Sequence, residues 1–299
     1  MIWVSSQKLE KYSVLSASKY GISPFLIGST IIAFGTSAPE MLTSLFAVLD
    51  GKSIMVVGNV IGSNVANIAL VFGLTLAVLF LKKEDFVAQT EIKTNLILLI
   101  LSTIVIWAVM HVELFHFYSS IFLLSCLLVV LIIWYKTNTG FETELEENKE
   151  NFLLLKLISS LVFLVVSAWL ITKGALNILD SFGVGEMFVG FTVLAFGTSL
   201  PEIAASLALA LKGRYEAVAG TLIGSNIFNG LFVLAIPGLF RPSYKFVYTE
   251  WIPILVVLLF VTMTFCIYIF SRIKKPKKAS LMISFLLFAS YLLSLYLVY

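Results

Sequence analysis

GSTIIAFGTSAPE at residues 28–40 returns as GFTVLAFGTSLPE at 190–202, and GNVIGSNVAN at 58–67 returns as GTLIGSNIFN at 220–229. Every matched position is displaced by 162 residues (190 − 28 = 162; 220 − 58 = 162), with no gap between the two motifs. Each copy sets a carboxylate, Glu40 or Glu202, among Gly, Pro, Thr, Ser and Asn inside an apolar run long enough to cross a bilayer. A charge at that depth costs about 2.5–3.5 kcal/mol on insertion scales, so it marks a functional site. Two such copies in one chain predict a transporter built from repeats, with its binding site at the repeat interface.

The rest of the chain agrees with that reading. Of 299 residues, 60% are hydrophobic and 12% charged, whereas soluble domains carry about 25% charge. Apolar stretches recur along most of its length, which predicts an all-α polytopic membrane protein without soluble domains. The first twenty residues hold Lys8, Glu10, Lys11 and Lys19 and lack the apolar core of a cleavable signal. Cys126 and Cys266 sit inside apolar runs and read as buried small hydrophobes. Five tryptophans, Trp3, Trp107, Trp134, Trp169 and Trp251, read as interfacial anchors.

Nine spans are predicted: about 24–50, 53–80, 92–111, 117–135, 152–172, 186–211, 214–240, 250–270 and 281–299. Threaded alternately, they leave sixteen of the 20 Lys and Arg on one side and only Lys52, Lys173, Arg241 and Lys245 on the other. The positive-inside rule makes the first side cytoplasmic and puts the C-terminus outside. The same threading runs 24–50 outward and its twin 186–211 inward, so the repeats have inverted topology. The chain divides into a first half, 1–140, a cytoplasmic acidic linker, 141–151, and a second half, 152–299. The linker, with Glu142, Glu144, Glu146, Glu147 and Glu150, reads as a solvated loop.

The motifs specify oxygen chemistry. Pro39 and Pro201 have no N–H, so a helix opens one turn before each, and discontinuous helices result. Thr36, Ser37, Thr198 and Ser199 add hydroxyls beside the break, and Glu40 and Glu202 add carboxylates after it. Ser63 and Asn67 are four residues apart, as are Ser225 and Asn229, so each pair shares a helix face and turns a hydroxyl and an amide to one centre. Asn64 and Asn226 lie off that face and read as packing amides. Oxygen-only sites suit hard cations such as Na⁺ and Ca²⁺ rather than Zn²⁺ or Cu⁺. There is no phosphate loop and no nucleophile–base set, which argues against an enzyme.

The paired GTSxPE and GSNxxN motifs resemble the two alpha-repeats of the sodium/calcium exchangers, in the cation/calcium exchanger superfamily, over residues 28–76 and 190–238. The short central linker resembles the prokaryotic branch. The resemblance implies ten spans in two inverted halves, with the acidic residues at the bilayer midplane. It makes Glu40 and Glu202 the shared ligands of calcium and sodium, with carbonyls and hydroxyls from Thr36 and Thr198. It adds backbone carbonyls of Ala33 and Ala195, places Ser37, Ser63, Ser199 and Ser225 at flanking sodium sites, and completes the centre with Asn67 and Asn229. Two departures stand out. Asn229 replaces an Asp that many relatives carry and that potassium-dependent ones use, so potassium cotransport is not expected. The opening span of the family is missing, which leaves a late start or a nine-span protein.

The resulting expectation is a plasma-membrane antiporter that exports calcium for sodium and moves net charge. Its partners are those two ions and the bilayer, with no nucleic acid and no cofactor. Proton/calcium exchange is the alternative, since a Glu also carries a proton. A cation channel fits less well, because the site is two broken-helix units in one chain rather than a ring of subunits.

Overall fold

Long runs of Leu, Ile, Val and Phe leave the backbone to satisfy its own hydrogen bonds, and in lipid only a helix does so within one segment. The computed structural model describes residues 2–20, 23–86, 92–112, 114–137, 152–179, 190–240, 244–245, 248–273, 277–278 and 280–298. Its helices are α1 (Ile2–Tyr20), α2 (Phe25–Leu49), α3 (Ser53–Leu81), α4 (Ile92–His111), α5 (Phe117–Thr137) and α6 (Leu153–Leu179), followed by α7 (Phe191–Thr198) and α8 (Leu200–Ala210). Then come α9 (Tyr215–Phe240), α10 (Tyr248–Ser271) and α11 (Leu281–Val298).

The repeated motifs interrupt this regularity in the way their prolines dictate. Pro39 begins a new helical segment after Ser37, whose ψ of 1° departs from helical geometry. In the second copy, α7 and α8 meet at Ser199 with a 41° bend. Wider π-helical turns lie at Gly28–Ile32, Ala66–Phe72 and Gly190–Leu194, two of them one turn before a proline break. Such turns shift a helix face and recur at functional sites.

The two halves pack reciprocally. The turn Gly28–Ile32 lies against α9, and its repeat counterpart Gly190–Leu194 lies against α3. Both contacts depend on glycine. A Cβ on Gly62 would stand 2.6 Å from the carbonyl oxygen of Phe191, and a Cβ on Gly224 would collide with the carbonyl oxygen of Ser29, the position equivalent to Phe191. Two short ribbons also join the halves: β1 (Asp85–Phe86) pairs antiparallel with β4 (Lys277–Lys278), and β2 (Leu114–Phe115) with β3 (Tyr244–Lys245).

Among the described residues, seven single helices are long and apolar enough to cross a membrane, and the bent pair α7–α8 makes an eighth. The predicted span 152–172 coincides with α6, whose qualifying apolar stretch among the described residues is the shorter Leu153–Ser167. Ahead of the first predicted span, where the sequence suggested a missing element, residues Ile2–Tyr20 form a helix packed along α6 and α8. Its Lys and Glu residues keep its hydropathy low, which hides it from a hydropathy reading. Two tryptophan assignments are corrected: Trp134 and Trp251 are fully buried, and Trp134 meets Phe228 edge-on. Both cysteines are free. The acidic linker 141–151 with the boundaries drawn there, the first residues of 186–211, the basic residues Lys274 and Lys275 and the Trp3 side chain lie outside the described residues.

Candidate functional site

The site is assembled from the two proline breaks and the two Gly-Ser-Asn helices. Glu40 falls in the first turn of the segment Ala38–Leu49, and Glu202 in the first turn of Leu200–Ala210. The amide dipoles of a helix start favour a carboxylate there. Ser63 and Asn67 come from α3, Ser225 and Asn229 from α9. All twelve residues singled out from the sequence, Ala33, Thr36, Ser37, Glu40, Ser63, Asn67, Ala195, Thr198, Ser199, Glu202, Ser225 and Asn229, have no solvent exposure.

The hydrogen bonds run between the repeats. Ser37 donates to Glu202 Oε1 at 3.2 Å, and Ser225 donates to the same oxygen at 3.2 Å. The hydroxyls of Thr36 and Ser225 lie 3.5 Å apart, and the equivalent pair, Ser63 and Thr198, also lies 3.5 Å apart. Asn67 donates to Asn226 Oδ1 at 3.4 Å, and Asn64 donates to the Asn226 carbonyl at 3.2 Å. Asn64 and Asn226 thus tie α3 to α9, as their packing role required, and Asn226 also orients the Asn67 amide. Ala33 and Ala195 carbonyls accept the backbone N–H groups of Ser37 at 2.9 Å and Ser199 at 3.1 Å, so helical bonding carries across each break. Each carbonyl also lies within reach of the hydroxyl of Thr36 or Thr198, at 3.3 and 3.5 Å.

What the centre leaves unpaired defines its chemistry. Both carboxylate oxygens of Glu40, Oε2 of Glu202, Oδ1 of Asn67 and both amide atoms of Asn229 are buried without a hydrogen-bond partner, and so is the Ser199 hydroxyl. No Lys or Arg belongs to either motif. Buried acceptors without donors cost free energy unless a cation satisfies them. Carboxylate, amide and hydroxyl oxygens converging in one place form the donor set of a hard cation. Among the described residues no group of three or more His, Cys, Asp or Glu could hold a metal; the carboxylates of the two motifs are Glu40 and Glu202.

Two residues at the site were missed by the sequence reading. Asn59 accepts from Ser63 at 3.5 Å and from Thr198 at 3.4 Å through Oδ1, and donates to Ser44 at 3.2 Å. Ser44 lies one turn beyond Glu40 on the same helix. The spacing 59–63–67 carries the signal, a polar residue at every fourth position. Asn59 escaped notice because its repeat counterpart is Thr221 rather than Asn.

Comparisons with known proteins give the family. The family model described as sodium/calcium exchanger protein matches residues 1–136 and 152–299. A putative antiporter, CaxA, from Alkalimonas amylolytica is 36% identical over 81% of this chain and 78% of its own length. The sodium/calcium exchanger MaX1 of Methanosarcina acetivorans is 26% identical over 77% of this chain and 79% of its own. The solved sodium-calcium exchanger NCX_Mj superposes with a TM-score of 0.80 at 27% identity, covering 98% of this chain and 93% of that one. A buried oxygen centre shared between two helix breaks, in a fold and sequence matched along nearly the whole chain, places this protein in the sodium/calcium exchanger family.

Proposed function

We propose that this chain exports calcium from the cell in exchange for sodium, using one buried centre that holds the two ions alternately. The family membership makes it a calcium/cation antiporter; sodium as counter-ion and the outward direction of calcium are the further steps. The observation that carries the reading is the set of unpaired buried oxygens on Glu40, Glu202, Asn67 and Asn229. Glu40 and Glu202 neutralise one Ca²⁺ or two Na⁺. Thr36, Ser37, Ser63, Thr198, Ser199 and Ser225 supply neutral oxygens for a third Na⁺, with the Ala33 and Ala195 carbonyls completing the shell. Three sodium ions against one calcium carry one positive charge inward, worth about 2.3 kcal/mol per 100 mV, so a negative interior drives extrusion.

The repeats are read as inverted halves, 1–140 and 152–299, joined by the linker 141–151 on the cytoplasmic side, in the plasma membrane with the C-terminus outside. The reciprocal packing of Gly62 and Gly224 and the basic-residue asymmetry support that arrangement. Asn229 contributes oxygen without charge, so potassium is not required. Purified protein in liposomes tests the function. Calcium uptake is expected when sodium is loaded inside, and not when a proton or potassium gradient replaces it. Uptake driven by a proton gradient alone would overturn sodium as the counter-ion.

A further inference from the structure

Away from the cation centre, one arginine is buried with donors unbonded. Arg272 directly follows α10 and is 7% exposed. Its guanidinium lies over the Tyr268 ring, 4.5 Å from the centroid. Yet its Nε and Nη1 have no hydrogen-bond partner, and neither does the buried Tyr268 hydroxyl. A helix C-terminus favours a cation, but capping would bond these N–H groups to the last carbonyls, and it does not. Stacking on the ring attracts the charge and leaves the N–H edges unbonded. The Glu84 carboxylate, beside the ribbon β1–β4, accepts from the Tyr215 hydroxyl at 3.0 Å instead. A buried guanidinium with unmade bonds is costly, so these donors call for an anion.

The setting gives that anion its kind. Tyr268 packs edge-on to Phe86, with ring centroids 6.1 Å apart, and Phe86 lies in the strand that pairs with Lys277–Lys278. The ribbon thereby joins the loop after α3, with exposed Lys82 and Lys83, to the loop after α10. Lys93, at the start of α4, reaches over the Phe270 ring at 5.7 Å. Residues 82–93 and 272–278 together hold eight Lys and Arg against three Asp and Glu. Arg272 stands where a membrane-crossing helix ends, the depth of lipid headgroups. A guanidinium matches a phosphate through paired N–H groups, and basic pockets between helices on the cytoplasmic side hold phosphate headgroups. We propose that Arg272, with the Tyr268 hydroxyl, anchors a binding site for a phosphate group at the end of α10 that the basic asymmetry assigns to the cytoplasm. An anionic lipid of the inner leaflet and free phosphate both present that group. The site is separate from the cation centre and does not rest on the exchange reading; only its side of the membrane rests on the proposed topology.

The test titrates the purified full chain in detergent with phosphatidylglycerol, with phosphatidylcholine and with inorganic phosphate, and reads the unfolding temperature. Wild type is expected to show a saturable rise with phosphatidylglycerol and none with phosphatidylcholine. Arg272→Gln removes the charge, and Arg272→Lys keeps the charge but loses the paired N–H groups. In both, the half-saturating phosphatidylglycerol concentration is expected to rise about tenfold, the weight of one charge-assisted hydrogen bond. A rise with phosphatidylglycerol alone identifies the ligand as a lipid headgroup. A rise with inorganic phosphate in the absence of lipid, weakened equally by Arg272→Lys, identifies a soluble phosphate. No response of wild type to either probe would overturn the proposal. So would an Arg272→Lys variant that titrates like wild type, because diffuse attraction to the surrounding lysines would then be the whole effect. Should Arg272→Gln fail to fold, the charge-keeping Arg272→Lys decides alone.

Discussion

The candidate site holds two carboxylates, and neither motif contains a Lys or Arg to pair with them. Glu40 and Glu202 are fully buried, and three of their four oxygens have no partner. Replacing either by Gln keeps the shape and removes the charge that a divalent cation needs. Glu40→Gln and Glu202→Gln are each expected to abolish calcium flux, at least about a hundredfold down if the lost ion contact is worth some 3 kcal/mol. Both variants should still insert and unfold cooperatively. Flux within twofold of wild type in either would remove that residue from the centre. Asn229 supplies the complementary case. Asn229→Asp adds a third carboxylate, and calcium flux in that variant is expected to become responsive to potassium, whereas wild type is not. These residues were legible in the sequence because the repeat prints each of them twice. Asn59 was not, since its counterpart is Thr221 and leaves no doubled signal, and Ser44 was not, although Ser206 repeats it, because a buried polar network is set by which helices face each other.

At the scale of elements, the proline breaks followed from the chain itself, because a missing N–H and a ring clash are local facts. The π-helical turns at Gly28–Ile32, Ala66–Phe72 and Gly190–Leu194 did not, as an extra residue in a turn reflects what the neighbouring helix demands. Helix α1 was hidden for a different reason. Its buried serines, Ser5, Ser13 and Ser16, and its charges resemble a surface segment until α6 and α8 are seen to cover one face. Gly62, Gly220 and Gly224 of the Gly-Ser-Asn helices are close-approach positions. Gly62→Ala and Gly224→Ala each place a methyl against the backbone of the opposite repeat. Each is expected to cost about 1–3 kcal/mol as overpacking, read as a lower unfolding temperature in detergent, together with reduced flux. Gly213, exposed with nothing near it, is the control glycine: its φ of +72° makes Ala strained there without touching the repeat interface.

For the whole molecule, the repeat offset, the basic asymmetry and the reciprocal contacts describe two halves clasped around a shared centre. The halves meet at α3 and α9 in the interior and at two short ribbons where loops of one half pair with loops of the other. If sixteen of the basic residues face the cytoplasm, single cysteines placed in the linker 141–151 should label only from the inside of intact cells, and one near Tyr299 only from the outside; external labelling of the linker would reverse the orientation. Exchange itself is the central claim, and it is tested most directly by calcium flux through liposomes in which the sodium gradient and the membrane potential are set independently. The expected result is calcium movement only when sodium stands on the opposite side, reversing at the potential for three sodium ions per calcium. Calcium flux that proceeds without sodium on either side, or that ignores the imposed sodium gradient, would contradict it.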